Sequence, residues 1–438
     1  MQSPTARRLG GLIGAGLMGS AVLAGCGAAP TSAAKTSAKP ITVTFWHGLG
    51  GTLGQKLESL ITEFNKTHPK IHVVGTYEGT YTGGGPEQQK LLASLAAHAT
   101  PDIAQLEVHS MPVFASIGAL MPLTSFIKHS SIDNPSSLLP GMTASTTYHG
   151  VTYGLPFNRS LPVIFYNKTM FSQAGLSGPP NTWSQLVSDA TTLTHGTGSS
   201  KVYGFSPNDQ WWFWEYYTWS AGQHILSSNL QTATFNTPAA ESMLQSTVNM
   251  QKQGTAIVQE GPDAWSLTTA SFIAGKVAMD EDSVASLATV RSGVGNNFQW
   301  GLAMLPQDVT RAVPPGGANL VIMNGIPKAT AQAAFTFMQW LTALPQTVKW
   351  SEETGYLPVQ KAALTDPSYV AYLKANPQET VALNEVQYQH APPQSPHYLG
   401  IYGYAQTAMT SIYANGVSVQ SAMNTAAQQS DALLKELP

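Results

Sequence analysis

The stretch ITVTFWHGLGGTLGQKLESLITEFNKTHPKIHVV, residues 41–74, decides the fold. Ile41, Val43 and Phe45 alternate with Thr42 and Thr44, the period-two pattern of a strand. Gly48-Leu49-Gly50-Gly51 turns the chain, and Leu53, Leu57, Leu60, Ile61 and Phe64 then recur at helical spacing. Pro69 closes that helix, and Ile71 to Val74 reads as the next strand.

Working outward, a helix is expected around Gln88 to His98, and Pro101 precedes the apolar run Ile103 to Leu106. This β-α-β-α-β alternation predicts a mostly parallel α/β sheet. The pattern restarts after Gly150. Val163 to Tyr166 reads as a strand, and Thr182 with Gln185 forms a capping box for a helix carrying Trp183 and Leu186. A helix follows over Ala239 to Lys252, stopped by Gly254, and strands follow at Lys276 to Met279 and Leu320 to Met323. Helices around Ala331 to Leu341 and Ser418 to Leu434 complete the pattern, and no repeat of solenoid period is seen. Two α/β lobes are expected, with a ligand at strand carboxyl ends or in the cleft between lobes.

The length, 438 residues, suits two or three domains at about 100–200 residues each. Lys+Arg is 21 against Asp+Glu 24, a net charge of −3. That balance argues against nucleic-acid binding by counterion release and against a polybasic membrane surface. Only 10% of residues are charged, against about 25% in ordinary chains. A surface so poor in carboxylates fits an acidic exterior, where they would be protonated.

The single cysteine, Cys26, excludes an intrachain disulfide and a cysteine-built metal cluster. Arg7 and Arg8 precede an uncharged apolar stretch from Leu9 to Val22, which ends in Leu23-Ala24-Gly25-Cys26. This is the layout of a secretory signal, too short and glycine-rich for a span of ~20 apolar residues. The final tetrapeptide resembles the lipobox of bacterial lipoproteins. The resemblance implies residues 1–25 as a signal peptide, cleavage before Cys26, and a lipid on its sulfur. Residues 26–40 read as a flexible tether.

Five segments look familiar together: Phe45-Trp46-His47-Gly48; Thr76-Tyr77-Glu78-Gly79-Thr80-Tyr81; Leu155-Pro156-Phe157-Asn158 with Phe165-Tyr166-Asn167-Lys168; Pro315-Gly316-Gly317-Ala318; and Thr354-Gly355-Tyr356-Leu357-Pro358. In this order they resemble the extracellular solute-binding proteins of carbohydrate-type ABC transporters (family 1). Within that group the pattern is most similar to glycerol-3-phosphate-binding proteins. The resemblance spans the mature chain and implies a two-lobed periplasmic-binding-protein-like fold with a hinge and an interlobe cleft. It implies crossovers near Phe157–Ser160, Asp282–Ser283 and Met323–Gly325. The first lobe would then hold residues 41–158 and 283–323, and the second 159–282 and 324–438.

Sugars and polyols present hydroxyls and C–H faces, so their sites need planar aromatics and paired polar groups. The run Trp211-Trp212-Phe213-Trp214, with Tyr216, Tyr217 and Trp219, is too aromatic for one helix face to bury. The family pattern places ligand contacts at Trp211, Trp212 and Trp214. It implies the same for Tyr81, Ser160, Ser283, Gly317 and Tyr356, although the two serines and Gly317 also read as turn residues. Glu107, after the Ile103 to Leu106 run, is one residue off the family's acidic position, and a carboxylate there can accept two hydroxyls. Glycerol-3-phosphate binders carry an arginine where this chain has Tyr398, which leaves a phosphate without its fork of donors. Arg159 or the helix start at Gly50–Thr52 could replace it. A neutral sugar or polyol and a phosphoester both remain open.

Asp280-Glu281-Asp282 raises glycoside hydrolysis, but in a strand Asp280 and Asp282 share one face and Glu281 points away, which does not place two acids across a glycosidic bond, and a solvated strand end is the expected reading. His68 and His72 are spaced for a helical metal pair, but Pro69 interrupts it. No cofactor and no metal is expected. Three functions are compatible with these features: a lipid-anchored solute receptor of an ABC importer, a secreted glycan-active hydrolase lipoprotein, and an adhesion or scaffold lipoprotein. The resemblance selects the first. It implies a monomeric non-enzyme, outside the cytoplasm, that hands a sugar, polyol or glycerol-phosphate-type solute to a membrane permease with a separate ATPase.

Overall fold

In the computed structural model, the described residues are 39–436 apart from 129, 131 and 262. The signal stretch, Cys26 and most of the tether therefore lie outside the described residues. Eleven strands are formed among the described residues: β1 (Ile41–His47), β2 (Ile71–Tyr77), β3 (Ile103–Glu107), β4 (Thr147–Tyr148), β5 (Val151–Thr152), β6 (Gly154–Ser160), β7 (Pro162–Asn167), β8 (Tyr203–Ser206), β9 (Val277–Ser283), β10 (Trp300–Ala303) and β11 (Gly316–Ile322). The opening stretch folds as read, with Gly51–Thr67 as the helix between β1 and β2. Its Leu57, Leu60, Ile61 and Phe64 are buried, as the spacing requires.

Two sheets carry the molecule. The first has the order β2-β1-β3-β11-β6 and the second β10-β7-β9-β8; β4 and β5 pair as a small hairpin. In the first sheet β1 runs parallel to β2 and β3, while β11 enters antiparallel between β3 and β6. In the second, β7 is antiparallel to β9 and β10, and β8 is parallel to β9. The chain leaves the first sheet at Ser160 and starts β7 at Pro162, where the first crossover was expected.

The later crossovers differ from the expected boundaries. Residues 283–323 do not return together. Leu287, Val290 and Val294 pack into the core of the second sheet, and β10 pairs with β7 there. Only β11 rejoins the first sheet. Nor does the chain leave after Met323. Phe335, Phe337, Met338 and Trp350 share one core with Val43 and Phe45, and Phe337 lies edge-on to Phe45 at 5.8 Å. The helices Lys328–Leu341 and Leu344–Thr354 thus cover the first sheet. In the second, the helix Tyr398–Asn415 packs on Trp211–Ser220, and Val419–Leu433 packs on Tyr398–Asn415 and Pro238–Gln253.

Local signals hold with one adjustment. Thr182 caps the helix Trp183–Leu193 by accepting from the Gln185 N–H, but the Gln185 amide oxygen reaches the Asn181 N–H rather than the cap's own. The acidic triple is the larger departure. Asp280, Glu281 and Asp282 are all fully buried in β9, not solvated at its end. Glu281 accepts from the Tyr217 hydroxyl at 2.7 Å and the Asn208 N–H at 3.1 Å, while Asp282 faces the helix Ala264–Ile273. Burial disfavours the charged form of each, opposed by hydrogen-bond donors at Glu281 and Asp282 but by none at Asp280.

Near its start, β11 carries an irregularity in its pairing with β6, between Gly317 and Asn319. Gly317 has φ +87°, and a Cβ there would lie 1.7 Å from the Asn158 carbonyl oxygen. Only glycine lets β11 approach β6 this closely. Gly317→Ala is expected to lower the unfolding free energy by at least about 2 kcal/mol, through a left-handed non-glycine residue plus that collision. Urea denaturation checks it, and an unchanged midpoint would contradict the bulge geometry.

Burial also sets a pH dependence. It pushes Glu87, Glu281 and Glu385 each up to about 8, and Glu107 up to about 7. A carboxyl bound to its proton more tightly in the native state adds stability below its unfolded value of about 4.3. That contribution is lost as pH rises through the folded value. The protein should therefore melt at a higher temperature near about pH 5 than near about pH 8.5, as read by calorimetry. A melting temperature that climbs across that interval would contradict these buried carboxyls.

Candidate functional site

A cleft of about 530 Å³ lies where the two sheets meet. It falls within the roughly 300–1,000 Å³ typical of small-molecule sites. Strand ends build it. From the first sheet come the turn after β1, the segment after β2, the end of β3, the end of β6 and the start of β11. Because β11 is antiparallel to β3, its first residues stand beside the carboxyl end of β3, with Ala318 opposite Glu107. From the second sheet come the end of β9 and the first turns of the helices Trp211–Ser220 and Ala264–Ile273.

Most of the expected residues line this cleft. Tyr81 and Glu107 come from the first lobe, Ser160 from the crossover, and Gly317 from the bulge. Trp211, Trp212, Ser283 and Tyr356 complete the group. Gly316 sets two of them side by side: a Cβ there would meet Ser160 Oγ at 2.5 Å and Trp212 Cζ2 at 2.6 Å. Gly48 does the same for Tyr81, whose Cδ1 would lie 2.6 Å from an added Cβ.

Two expected residues are not in the lining. Trp214 is 1% exposed and packs edge-on against Phe235 at 4.9 Å. The helix Trp211–Ser220 is buried on every side, so a third tryptophan belongs to the core rather than the cleft. Tyr398 is fully buried, and its hydroxyl donates to Glu215. Glu215 Oε2 in turn lies 3.0 Å from His109 Nε2. Tyr398 therefore stands one residue behind the wall, supporting His109, which does line the cleft.

Arg159 does not replace a phosphate-clasping arginine. It is 3% exposed and points inward, donating to the Met142 carbonyl at 3.0 Å and to Asn319 Oδ1 at 2.5 Å. Burial lowers its pKa to about 9. The helix start at Gly50 and Gly51 does border the cleft. No Lys or Arg is among the lining residues, and Glu107 is the one carboxylate there.

The floor is a hydrogen-bonded chain. The Gly48 N–H donates to Gln105 Oε1 at 2.9 Å, Gln105 Nε2 donates to Asn158 Oδ1 at 2.7 Å, and Asn158 Nδ2 donates to the Tyr81 hydroxyl oxygen at 2.8 Å. The Tyr81 hydroxyl, which accepts from Asn158, also meets the hydroxyl of Tyr356, so the two phenols stand together at the cleft. Glu107 accepts from the Gly83 N–H at 3.3 Å and the Tyr402 hydroxyl at 3.2 Å. Burial is the first cause of its raised pKa, opposed by His109 and these two donors.

The aromatic wall has two parts. Trp211 stacks on Tyr402 with centroids 4.1 Å apart and takes the edge of His109 at 4.7 Å. Its buried indole N–H has no partner. Trp212 donates its indole N–H to the Pro315 carbonyl at 3.0 Å and stacks on Trp265 at 6.0 Å and 22°. Trp265, His109, Ser286 and Thr289 line the cleft without having been anticipated. A lone tryptophan after Gly261-Pro262-Asp263-Ala264 was the available signal for Trp265.

Hydrolysis of glycosides needs two carboxyls flanking the bond, and this cleft offers one. The acidic triple lies behind the wall, fully buried. Among the described residues no helix is long and apolar enough to cross a membrane, and no cluster of His, Cys, Asp and Glu could hold a metal ion.

Comparison with known proteins agrees with this architecture. The family model for bacterial extracellular solute-binding proteins matches residues 59–377. The sn-glycerol-3-phosphate-binding periplasmic protein UgpB of Yersinia pestis is 31% identical over 80% of this chain and 82% of its own length. That of Yersinia pseudotuberculosis is 29% identical over 91% and 94%. Among solved structures, the GacH receptor of Streptomyces glaucescens superposes with a TM-score of 0.80 at 22% identity, covering 91% of this chain and all of that one. UgpB of Mycobacterium tuberculosis, solved with glycerophosphocholine, gives 0.78 at 24% identity over 91% and 99%. The protein has the two-lobed fold of these neighbours, is a solute binder rather than an enzyme, and belongs to the bacterial extracellular solute-binding protein family.

Proposed function

We propose that the protein captures a neutral sugar or polyol in the interlobe cleft and delivers it to an ABC importer, whose permease and ATPase are separate chains. The observation that carries the solute class is the lining: tryptophan and tyrosine rings, serine and threonine hydroxyls and one carboxylate, with no Lys or Arg. A phosphate dianion would meet Glu107 with His109 and helix starts, but no Lys or Arg, to offset it. The ring pair Trp212–Trp265 suits the C–H face of a pyranose, and the unpartnered Trp211 N–H suits a hydroxyl or ring oxygen.

Tyr81, Glu107, Ser160, Trp211, Trp212, Ser283, Gly317 and Tyr356 are the proposed contacts. They come from both lobes. A solute bonded to both favours the closed arrangement, whereas one bonded to a single lobe would not shift the hinge equilibrium. The lipobox-like Leu23-Ala24-Gly25-Cys26 supports anchoring through a lipid on Cys26, with residues 26–40 as tether. We assign the first lobe residues 41–160 and 316–354, and the second the segment from 162 to β11 plus the C-terminal helices, on their sheet and core membership.

Thermal shift of the purified protein tests the solute class, since a tight ligand raises the melting temperature by mass action. A panel of neutral mono- and oligosaccharides, polyols, glycerol-3-phosphate and glycerophosphocholine should give its shifts among the neutral members. Shifts confined to the phosphoesters would contradict the reading. Tyr356→Phe removes one hydroxyl and no ring, and should weaken the Kd of the responding solute about tenfold. An unchanged Kd would remove Tyr356 from the site. Cys26→Ser should release the protein from the membrane fraction of the expressing bacterium. Retention there would rule out the lipid anchor.

A further inference from the structure

We infer that Asp282 is the positioning residue of the cleft's second-lobe wall: its buried carboxylate holds Trp265 against Trp212, so that the pair meets the solute as one aromatic surface. Asp282 is fully buried near the end of β9. Its Oδ1 accepts from Trp265 Nε1 at 2.7 Å, from Ser286 Oγ at 2.8 Å and from the Ser283 N–H at 2.6 Å. Its Oδ2 accepts from Thr269 Oγ1 at 2.7 Å. Trp265 and Thr269 stand one turn apart on the same helix face, so a single carboxylate below that face reaches both. Three of the four donors, on Trp265, Ser283 and Ser286, belong to residues that line the cleft.

The arrangement is more specific than ordinary burial. Trp265 is only half-buried; its ring lies beside Trp212 and Phe213, and its N–H is held by the carboxylate below, with Ser286 Oγ at 3.4 Å. A short N–H···O bond is directional, which fixes the indole rather than merely covering it. The neighbouring Asp280 is fully buried with both oxygens unpartnered, so Asp282 is the member of this face that holds the donors. Glu281 points to the other side of the sheet, toward Tyr217.

The test is fluorine NMR of protein labelled with 5-fluorotryptophan, with Trp265→Phe assigning its resonance among the ten tryptophans. Asp282→Ala should move the Trp265 resonance and that of Trp212, leaving Trp214, Trp300 and Trp350 in place. Asp282→Asn keeps an oxygen for the indole and turns its amide to Thr269, and should restore the native position. An unmoved Trp265 signal in Asp282→Ala, a uniform shift of every tryptophan, or failure of Asn to restore would each overturn the proposal.

An affinity arm uses maltose as the neutral probe and rests on the proposed function. Asp282→Ala should weaken its Kd about tenfold, yet add less than about twofold in a Trp265→Phe background, because the two act as one unit. Equal losses in both backgrounds would overturn the positioning role. If Asp282→Ala does not fold, Trp265→Phe decides: it removes the N–H to Asp282 and shrinks the ring beside Trp212, and unchanged maltose affinity would overturn the proposal. Native protein that ignores maltose counts against the solute reading for that sugar, while the fluorine spectra still decide the clamp.

Discussion

The approach of β11 to β6 at Gly317 governs the cleft. A strand entering antiparallel between β3 and β6 brings its first residues to the carboxyl ends of its neighbours. The left-handed glycine lets that strand lie against the Asn158 carbonyl, and Gly316 beside it leaves room for Ser160 and Trp212 together. One backbone contact thus joins the first crossover, the tryptophan helix and the Glu107 strand end. A side chain at either glycine would separate the groups that face the solute.

Polar groups behind the lining are organised by the same economy. Gly48, Gln105, Asn158 and Tyr81 form a buried relay across the floor, so the tyrosine is aimed by its neighbours rather than by solvent. Glu215 holds both Tyr398 and His109, and Asp282 holds Trp265 with two serine-bearing turns. Each buried carboxylate is costly unless paired. The rings that meet a solute are therefore fixed before it arrives, which reduces the ordering that binding must impose. Few charges remain for the surface, in keeping with the 10% charged composition.

Much of this was legible in the sequence because its signals are local. The period-two alternation of Ile41, Val43 and Phe45 and the helical spacing of Leu57, Leu60 and Phe64 appear as β1 and the helix Gly51–Thr67. Sheet membership was not legible, since periodicity names an element but not its partner. The short β10 and the helix bearing Phe337 join sheets through contacts far along the chain. The acidic triple misled for the same reason: its donors sit on Tyr217, Trp265 and Thr269, and nothing next to it predicts them. Trp214 shows the limit of an aromatic run, because a helix enclosed on all sides hides rings that composition alone suggests are exposed.

A crystal structure of the protein with a neutral sugar selected by thermal shift tests the central claim most directly. The account predicts the sugar's C–H face on Trp212 and Trp265, with hydroxyls bonded to Glu107, Tyr356 and the Gly317 N–H. A sugar bound outside this cleft, or a phosphoester seated at the Gly50–Gly51 helix start in its place, would contradict it.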